Sequence, residues 1–417
     1  MFEFIRKADK NKRTLLMTCF FAFFCNGAST LMMGSVMPDL KATFGLSDTL
    51  GGLMISAHSA GNLAGGFLIG LLPLLMGQRK SIVLAMLLGA AGFLMGCFWG
   101  NPVWLFAAFL LIGLSRGSMT NFTNRLINRL SDGSPAASNL LHSSFAVGAI
   151  VAPMIFLILA GWISWQAGMI FIVVIRLISA LDLNRMKLEN DKPDRKAKGN
   201  STLRFMKNPS FLILAMMMFC YLCSEYTING WLVTFIQSKE QLTASFAGDQ
   251  AAIAAYSQSM ATLLWAVILV GRLFCAAVSA RIHQKTLMMV ASFGVLGFFA
   301  MMLFSGTVTA VTVSVAGLGF CMAGICPMIY SDAAPFTNAY PMATGMILAI
   351  GSVGAILMPT VVGALADRFG FTGGMSAILV TVLLLVVFAI LNRTVRPRFP
   401  EKETEDWHSV PDRTVTD

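Results

Sequence analysis

Residues 146–153 read AVGAIVAP, and residues 352–359 read SVGAILMP. Five of the eight positions are identical, at a spacing of 206 residues. Two further matches fall in the same order at nearly the same spacing: Gly113-Leu114 with Gly317-Leu318 at 204, and Gly66 and Lys80 with Gly271 and Lys285 at 205. One match would be weak. Three in register imply a chain made of two parallel, related halves.

Working outward, both octets lie inside apolar runs. The 417 residues are 56% hydrophobic and only 12% charged, against about 25% charged in a soluble domain. The apolar residues come in runs that match the ~20 residues needed to cross a ~30 Å hydrocarbon core. Twelve spans are expected, at about 14–37, 49–72, 81–99, 103–125, 137–160, 165–183, 209–236, 250–279, 286–305, 308–331, 340–365 and 372–392. The ten-residue alternation of a β-barrel is not seen. The first run follows a basic start, as in a signal peptide, but is too long for one and reads as the first span. The expected fold is therefore an all-α integral membrane protein with two pseudo-symmetric six-helix halves. Residues 1–184 form the N-terminal half, 185–208 a cytoplasmic linker, 209–392 the C-terminal half and 393–417 a cytoplasmic tail.

Orientation follows from the basic residues. With the N-terminus inside, 24 Lys and Arg fall on the inner side and three (Lys41, Lys239, Arg368) on the outer side. Positive loops stay cytoplasmic, so both termini are expected inside. The same asymmetry accounts for the net charge of +10 without nucleic acid. All eight cysteines lie in apolar runs, Cys220 and Cys223 among them, and read as small packing residues. The 28 methionines are scattered through the spans. No phosphate-binding loop, metal cluster or hydrolase triad is seen, so neither a cofactor nor a metal is expected, and the chain reads as no enzyme.

Ionisable groups inside a bilayer are costly and mark function by default. Of twenty acidic residues only Glu225 falls near the middle of a span, in YLCSEYTINGW (221–231). It is the candidate proton-coupling residue and a candidate ligand. Asn229 lies four residues on, on the same helical face, and a carboxylate beside an amide suits hydroxyl-rich ligands. Tyr226 is expected to point elsewhere, toward lipid or core. In the fourth span Arg116 is placed to bind an anionic group or to pair with Glu225, and Asn121 and Asn124 follow it. Asn26, His58 and Asn62 add polar groups in the first two spans, His142 stands near the inner end of the fifth, and Gln258 and Trp265 share a face of the eighth. Arg176, nearer the inner end of the sixth, is expected to snorkel. Gly61, Gly65 and Gly66 permit close helix approach. Candidate substrate-binding residues are thus Glu225, Asn229, Asn121, Asn124, His142, Arg116, Asn26, Gln258 and Trp265.

Several segments resemble the major facilitator superfamily, and more closely its fucose permease-like (fucose–galactose–glucose:proton symporter) branch. They are GLSRGSMTNFTNRLINRLSDGSPAASNLLHSSFAVGAIVAP (113–153), SEYTINGWL (224–232), VGRLFCAAVSARI (270–282) and GICPMIYSDAAP (324–335). The superfamily's loop between spans 2 and 3 appears as GLLPLLMGQRKSI (70–82), with its basic end kept and its usual acid missing. The resemblance implies a sugar or sugar-like substrate at a site between the halves, near the midplane. It also implies that Glu225 matches an acid common in span 7. Two departures stand out. Gly34 occupies the place of the fucose permease's acid in span 1, and Ser118 that of its acid in span 4. His142 aligns with a binding glutamine, and Phe145 with a binding asparagine.

The expected function is import of a sugar or related polar metabolite across a bacterial inner membrane by alternating access, coupled to a cation, most simply the proton. A monomer suffices. The alternatives are a proton-driven exporter of drugs or amphipathic metabolites, and a membrane receptor without flux.

Overall fold

The computed structural model describes residues 10–131, 135–186, 203–278, 281–340 and 342–395. The expected linker lies mostly outside the described residues, at 187–202, as does the tail from 396 onward. Six helices precede the linker: α1 (Lys10–Phe44), α2 (Asp48–Met76), α3 (Gln78–Phe98), α4 (Pro102–Leu130), α5 (Pro135–Trp162) and α6 (Trp165–Arg185). After it come α7 (Pro209–Gln237), α8 (Gln250–Val278) and α9 (Gln284–Phe304). The tenth span, α10, is broken into Val308–Met322 and Ile325–Asp332. The break has a local cause: Pro327 lacks the N–H that the Ala323 carbonyl would accept, and its ring crowds that turn.

The last apolar helix, Ala343–Thr394, has 52 residues. Straight, it would run about 78 Å, more than twice the hydrocarbon core. It breaks at Gly370, where φ is 73° and ψ 168°, a conformation open to glycine because it has no Cβ. The two arms, 343–369 and 371–394, are α11 and α12. The twelve expected spans are therefore all present among the described residues. Helical form is imposed by the bilayer, which offers no water to an unpaired backbone group.

Helix starts are written locally. Asn101 and Asn208 each precede a proline at the first helical position, and their side chains accept from Val103 and Ser210 amides at 2.9 Å. This pairs a capping acceptor with a residue that has no N–H to satisfy. Ser47 caps α2 and Thr307 caps α10 in the same way, at 3.2 and 3.3 Å.

The repeat seen in sequence is a packing repeat. A Cβ on Gly148 of α5 would lie 2.1 Å from the Phe24 carbonyl oxygen of α1. A Cβ on Gly354 of α11 would lie 2.5 Å from Cys223 Sγ and 2.7 Å from the Phe219 carbonyl oxygen of α7. In each half, then, the glycine of the octet lets the fifth helix press on the first. Gly113 of α4 meets the His58 carbonyl oxygen of α2 at 2.0 Å, and Gly319 of α10 meets the Leu264 carbonyl oxygen of α8 at 2.7 Å. Gly319, again 206 residues on, is the structural counterpart of Gly113. Gly317, the match at 204, instead faces Phe298 of α9.

The halves meet most tightly at one end. There Asp367 of α11 accepts from the Asp48 and Thr49 amides of α2, both at 2.8 Å. Thr360 bonds Ser56 at 2.7 Å, and the buried Trp231 indole donates to the Pro359 carbonyl at 3.2 Å. Lys41 pairs with Asp48 and lies over the Phe371 ring, 5.0 Å from its centre. At the opposite end Asn139 and His142 of α5 are exposed.

Candidate functional site

A small cavity sits between the halves, near the middle of the helices. Thr30, Met33 and Gly34 of α1, Ile55 and His58 of α2, Phe109 and Arg116 of α4, and Tyr226, Asn229 and Gly230 of α7 line it. Its volume of about 20 Å³ holds roughly one water. The walls approach this closely because two of them are glycines. A Cβ on Gly34 would lie 2.1 Å from the Asn229 carbonyl oxygen, and one on Gly230 would lie 2.6 Å from Ile55.

Arg116 is the centre of the polar network. Its Nη1 donates to the Tyr226 hydroxyl at 2.6 Å, across the two halves. Its guanidinium also lies over the Tyr226 ring at 5.0 Å and over Phe145 at 5.9 Å. The Asn62 amide donates to the same hydroxyl at 3.2 Å. Asn26 holds the helix beneath: its amide donates to the Arg116 carbonyl at 3.3 Å and to Thr120 Oγ1 at 3.1 Å. On the other half, the Trp265 indole donates to Asn229 Oδ1 at 3.0 Å. Trp265 also meets Phe145 across the halves, ring centres 5.4 Å apart. The Gln258 amide donates to the Ser35 carbonyl at 3.0 Å.

Glu225 is half-buried one turn from Asn229. Tyr221 stands one turn before it on α7, and the cations acting on it are Arg272 and then Arg116. Four buried polar atoms around the site have no partner among the described residues: Arg116 Nε, His58 Nε2, Asn26 Oδ1 and Gln258 Oε1. Arg272 Nε is a fifth.

Of the expected residues, Asn229 and Arg116 line the cavity, while Asn26, Gln258 and Trp265 brace it. Three expectations need correction. Tyr226 faces the cavity instead of lipid or core, because the rotation of α7 against α4 is fixed by contacts that a single helix does not reveal. Arg116 bonds Tyr226 and makes no direct ion pair with Glu225. Arg176 does not snorkel: it is 1% exposed, donating to Ser29 at 2.8 Å and to Ser115 at 2.6 Å inside the N-terminal half.

Asn121 and Asn124 lie away from the cavity. The Asn121 amide donates to the Gly66 carbonyl at 3.1 Å, tying α4 to α2, and Asn124 donates to the Thr120 carbonyl at 2.8 Å within its own helix. His142 stands on the exposed face of α5, edge-on to Phe23 at 5.4 Å. Tyr221 and Arg272 were not singled out by sequence. An arginine within the apolar run VGRLF was the available signal for the second.

Arg176 makes a clean control. A buried cation replaced by a well-packed apolar side chain is often neutral to stability. Arg176→Met is expected to fold, with a melting temperature within a few degrees of the parent, and to keep its ligand binding. A folded variant without binding would place Arg176 in the transport machinery.

The comparisons agree with this architecture. The model of the Major Facilitator Superfamily matches residues 19–335. A protein named TsgA homolog, from Edwardsiella ictaluri (strain 93-146), is 22% identical over 399 residues, covering 92% of this chain and 95% of that one. Sodium-dependent glucose transporter 1 of Xenopus laevis is 22% identical over 346 residues, covering 75% of this chain and 68% of its own length. Among solved structures, a mutant form of the nucleoside transporter NupG superposes with a TM-score of 0.76 at 16% identity, over 92% of this chain and 99% of that one. With a duplicated twelve-helix fold, a polar cavity between its halves and a family model matching most of its length, the chain belongs to the Major Facilitator Superfamily of membrane transporters.

Proposed function

We propose that this transporter imports a sugar or sugar-like polar metabolite across a bacterial inner membrane. The observation that carries the reading is the cavity itself. It lies at the interface that alternating access must open and close, and Thr30, His58, Arg116, Tyr226 and Asn229 supply donors and acceptors on its wall. An exporter of lipophilic compounds calls for an apolar, aromatic and Met-lined wall. The relatives named for glucose and for nucleosides both handle hydroxyl-rich molecules, and so point the same way. With both termini inside, as the 24 inner against three outer basic residues indicate, the Asp48–Asp367 end is outer and closed. The opposite end, where Asn139 and His142 are exposed, is then the inner one.

Glu225 is the proposed proton carrier. It adjoins Tyr226 of the cavity wall, and a group there that alternates between two protonation states would couple substrate movement to a proton gradient. The test is uptake by proteoliposomes under an imposed pH gradient. Glu225→Gln is expected to retain equilibrative exchange but lose accumulation above the outside concentration. Continued accumulation by Glu225→Gln would remove Glu225 from coupling. Binding of lipophilic cations but no sugar, by thermal stabilisation of the purified protein, would instead favour the exporter. A ligand at 100 times its dissociation constant stabilises the folded state by about 2.7 kcal/mol.

A further inference from the structure

Arg116, half-buried, is held by the wrong kind of partner for a cation at the middle of a span. A guanidinium has five donors in a fixed fork matched to a carboxylate or phosphate. Here one nitrogen rests on a phenol, at 2.6 Å, and the buried Nε has no partner. Among the described residues no carboxylate lies within ion-pair distance of it. His58, 6% exposed, lines the same cavity, and its Nε2 has no partner.

The charges around the site point in one direction. Arg116 and Arg272 both act on Glu225, so with Glu225 ionised one positive charge is left without a counterpart. Arg176 does not enter this count, being sealed within the N-terminal half by Ser29 and Ser115. An unmatched charge at this depth is costly, and a ligand that brings one negative charge removes the cost.

We infer that the substrate is a polyhydroxylated monoanion, a sugar acid, whose carboxylate displaces the Tyr226 hydroxyl from Arg116. This rests on the sugar-carrier reading and narrows it. Tyr226 is a placeholder: its hydroxyl occupies Nη1 while the site is closed around about one water and yields it to a bidentate carboxylate when the halves separate. Both carboxylate oxygens then find donors, on Nη1 and Nη2 of Arg116, and the hydroxyls meet Thr30, Asn26 Oδ1 and the Asn229 amide. A sugar phosphate brings a second negative charge, for which the site has no further cation.

The experiment is equilibrium binding to the purified full-length protein of matched probes: D-glucuronate and D-galacturonate, their neutral parents D-glucose and D-galactose, and D-glucose 6-phosphate. A carboxylate bonded by charge-assisted hydrogen bonds to this guanidinium should favour the acid over its parent by about 10- to 100-fold. Arg116→Gln is expected to erase that preference, bringing the acid and its neutral parent to the same affinity. Tyr226→Phe, which keeps the ring and removes only the competing hydroxyl, is expected to tighten acid binding several-fold. Should Arg116→Gln fail to fold, Arg116→Lys, which keeps the charge but not the fork, is expected to weaken the acid at least several-fold. Equal affinity for acid and parent, or a preference for the phosphate, overturns the inference while the sugar-carrier reading stands. Unchanged or weakened acid binding in Tyr226→Phe overturns the placeholder role. Binding of lipophilic cations with none of the five probes overturns both readings together.

Discussion

Replacing Gly117 with valine is expected to leave no folded protein. Gly117 of α4 faces α2, and a Cβ there would lie 1.9 Å from the Asn62 carbonyl oxygen, 2.8 Å from its carbon and 3.0 Å from the Gly66 nitrogen. All three are backbone atoms, so no side-chain rotation relieves the clash. The helices must part, and the parting spreads to the other close approaches along the seam, at Gly61, Gly65 and Gly113. Ordinary overpacking of a core costs about 1–3 kcal/mol. Separating two backbones along a whole seam costs more than the upper end of that range. The seam also carries Arg116, one turn of α4 away from Gly113, so its loss removes the cavity wall. The check is the yield of monodisperse protein in mild detergent, with Gly70→Ala as the control. Gly70 lies on the same helix as Gly65 with nothing within 4 Å of its Cβ position. Alanine there is expected to be neutral or to stabilise slightly, since glycine in a helix interior costs roughly 0.5–1 kcal/mol relative to alanine. Normal yield from Gly117→Val would show that the α2–α4 approach is adjustable.

Asp367→Ala is expected to shift the resting protein toward the opposite conformation, in which the Asp48–Asp367 end opens. Asp367 lies in the last turn of α11, where the negative end of its own helix disfavours a carboxylate. Its compensation is in the other half: both oxygens accept from the first amides of α2, and one also accepts from the Thr49 hydroxyl. A carboxylate in that position completes the N-terminus of a helix that belongs to the other half, and every transport cycle must break the arrangement. Because Asp367 is exposed, a capping value of about 1–2 kcal/mol is appropriate, equivalent to roughly 5- to 30-fold in the ratio of closed to open states. Spin labels at Thr43 and Phe369, both exposed at that end, should show a longer-distance population growing by that factor. An unchanged distance distribution would mean that Trp231, Pro359, Ser56 and Thr360 hold the end closed by themselves.

The candidate site was legible in part, and the pattern of success has a physical basis. Arg116, Asn229 and Glu225 stand out in sequence because each is a polar or charged side chain in a stretch that the bilayer requires to be apolar. That signal survives any arrangement of the helices. Asn121 produces the same signal, yet it serves packing, because a buried backbone carbonyl on a neighbouring helix is as good a partner for an amide as a ligand hydroxyl. Tyr226 gives almost no signal, since tyrosine is tolerated in any membrane helix, and its role comes entirely from facing Arg116. Arg176 looked like a snorkelling residue by its place in the span. Only the arrival of Ser29 and Ser115 from α1 and α4 makes an interior position tolerable.

The twelve spans and the duplication were legible in the sequence, and the caps at Asn101, Ser47, Asn208 and Thr307 are local to it. These depend on hydropathy, spacing and local backbone geometry, which act over a few residues or accumulate along one helix. Tertiary structure alone decided that Gly319 and not Gly317 does the work of Gly113. It also decided that Arg116 rests on Tyr226 and that Asp367 completes the N-terminus of α2 from the other half. Helical periodicity states which residues share a face, but the rotation of each helix against its neighbours is set by backbone contacts summed over the whole bundle.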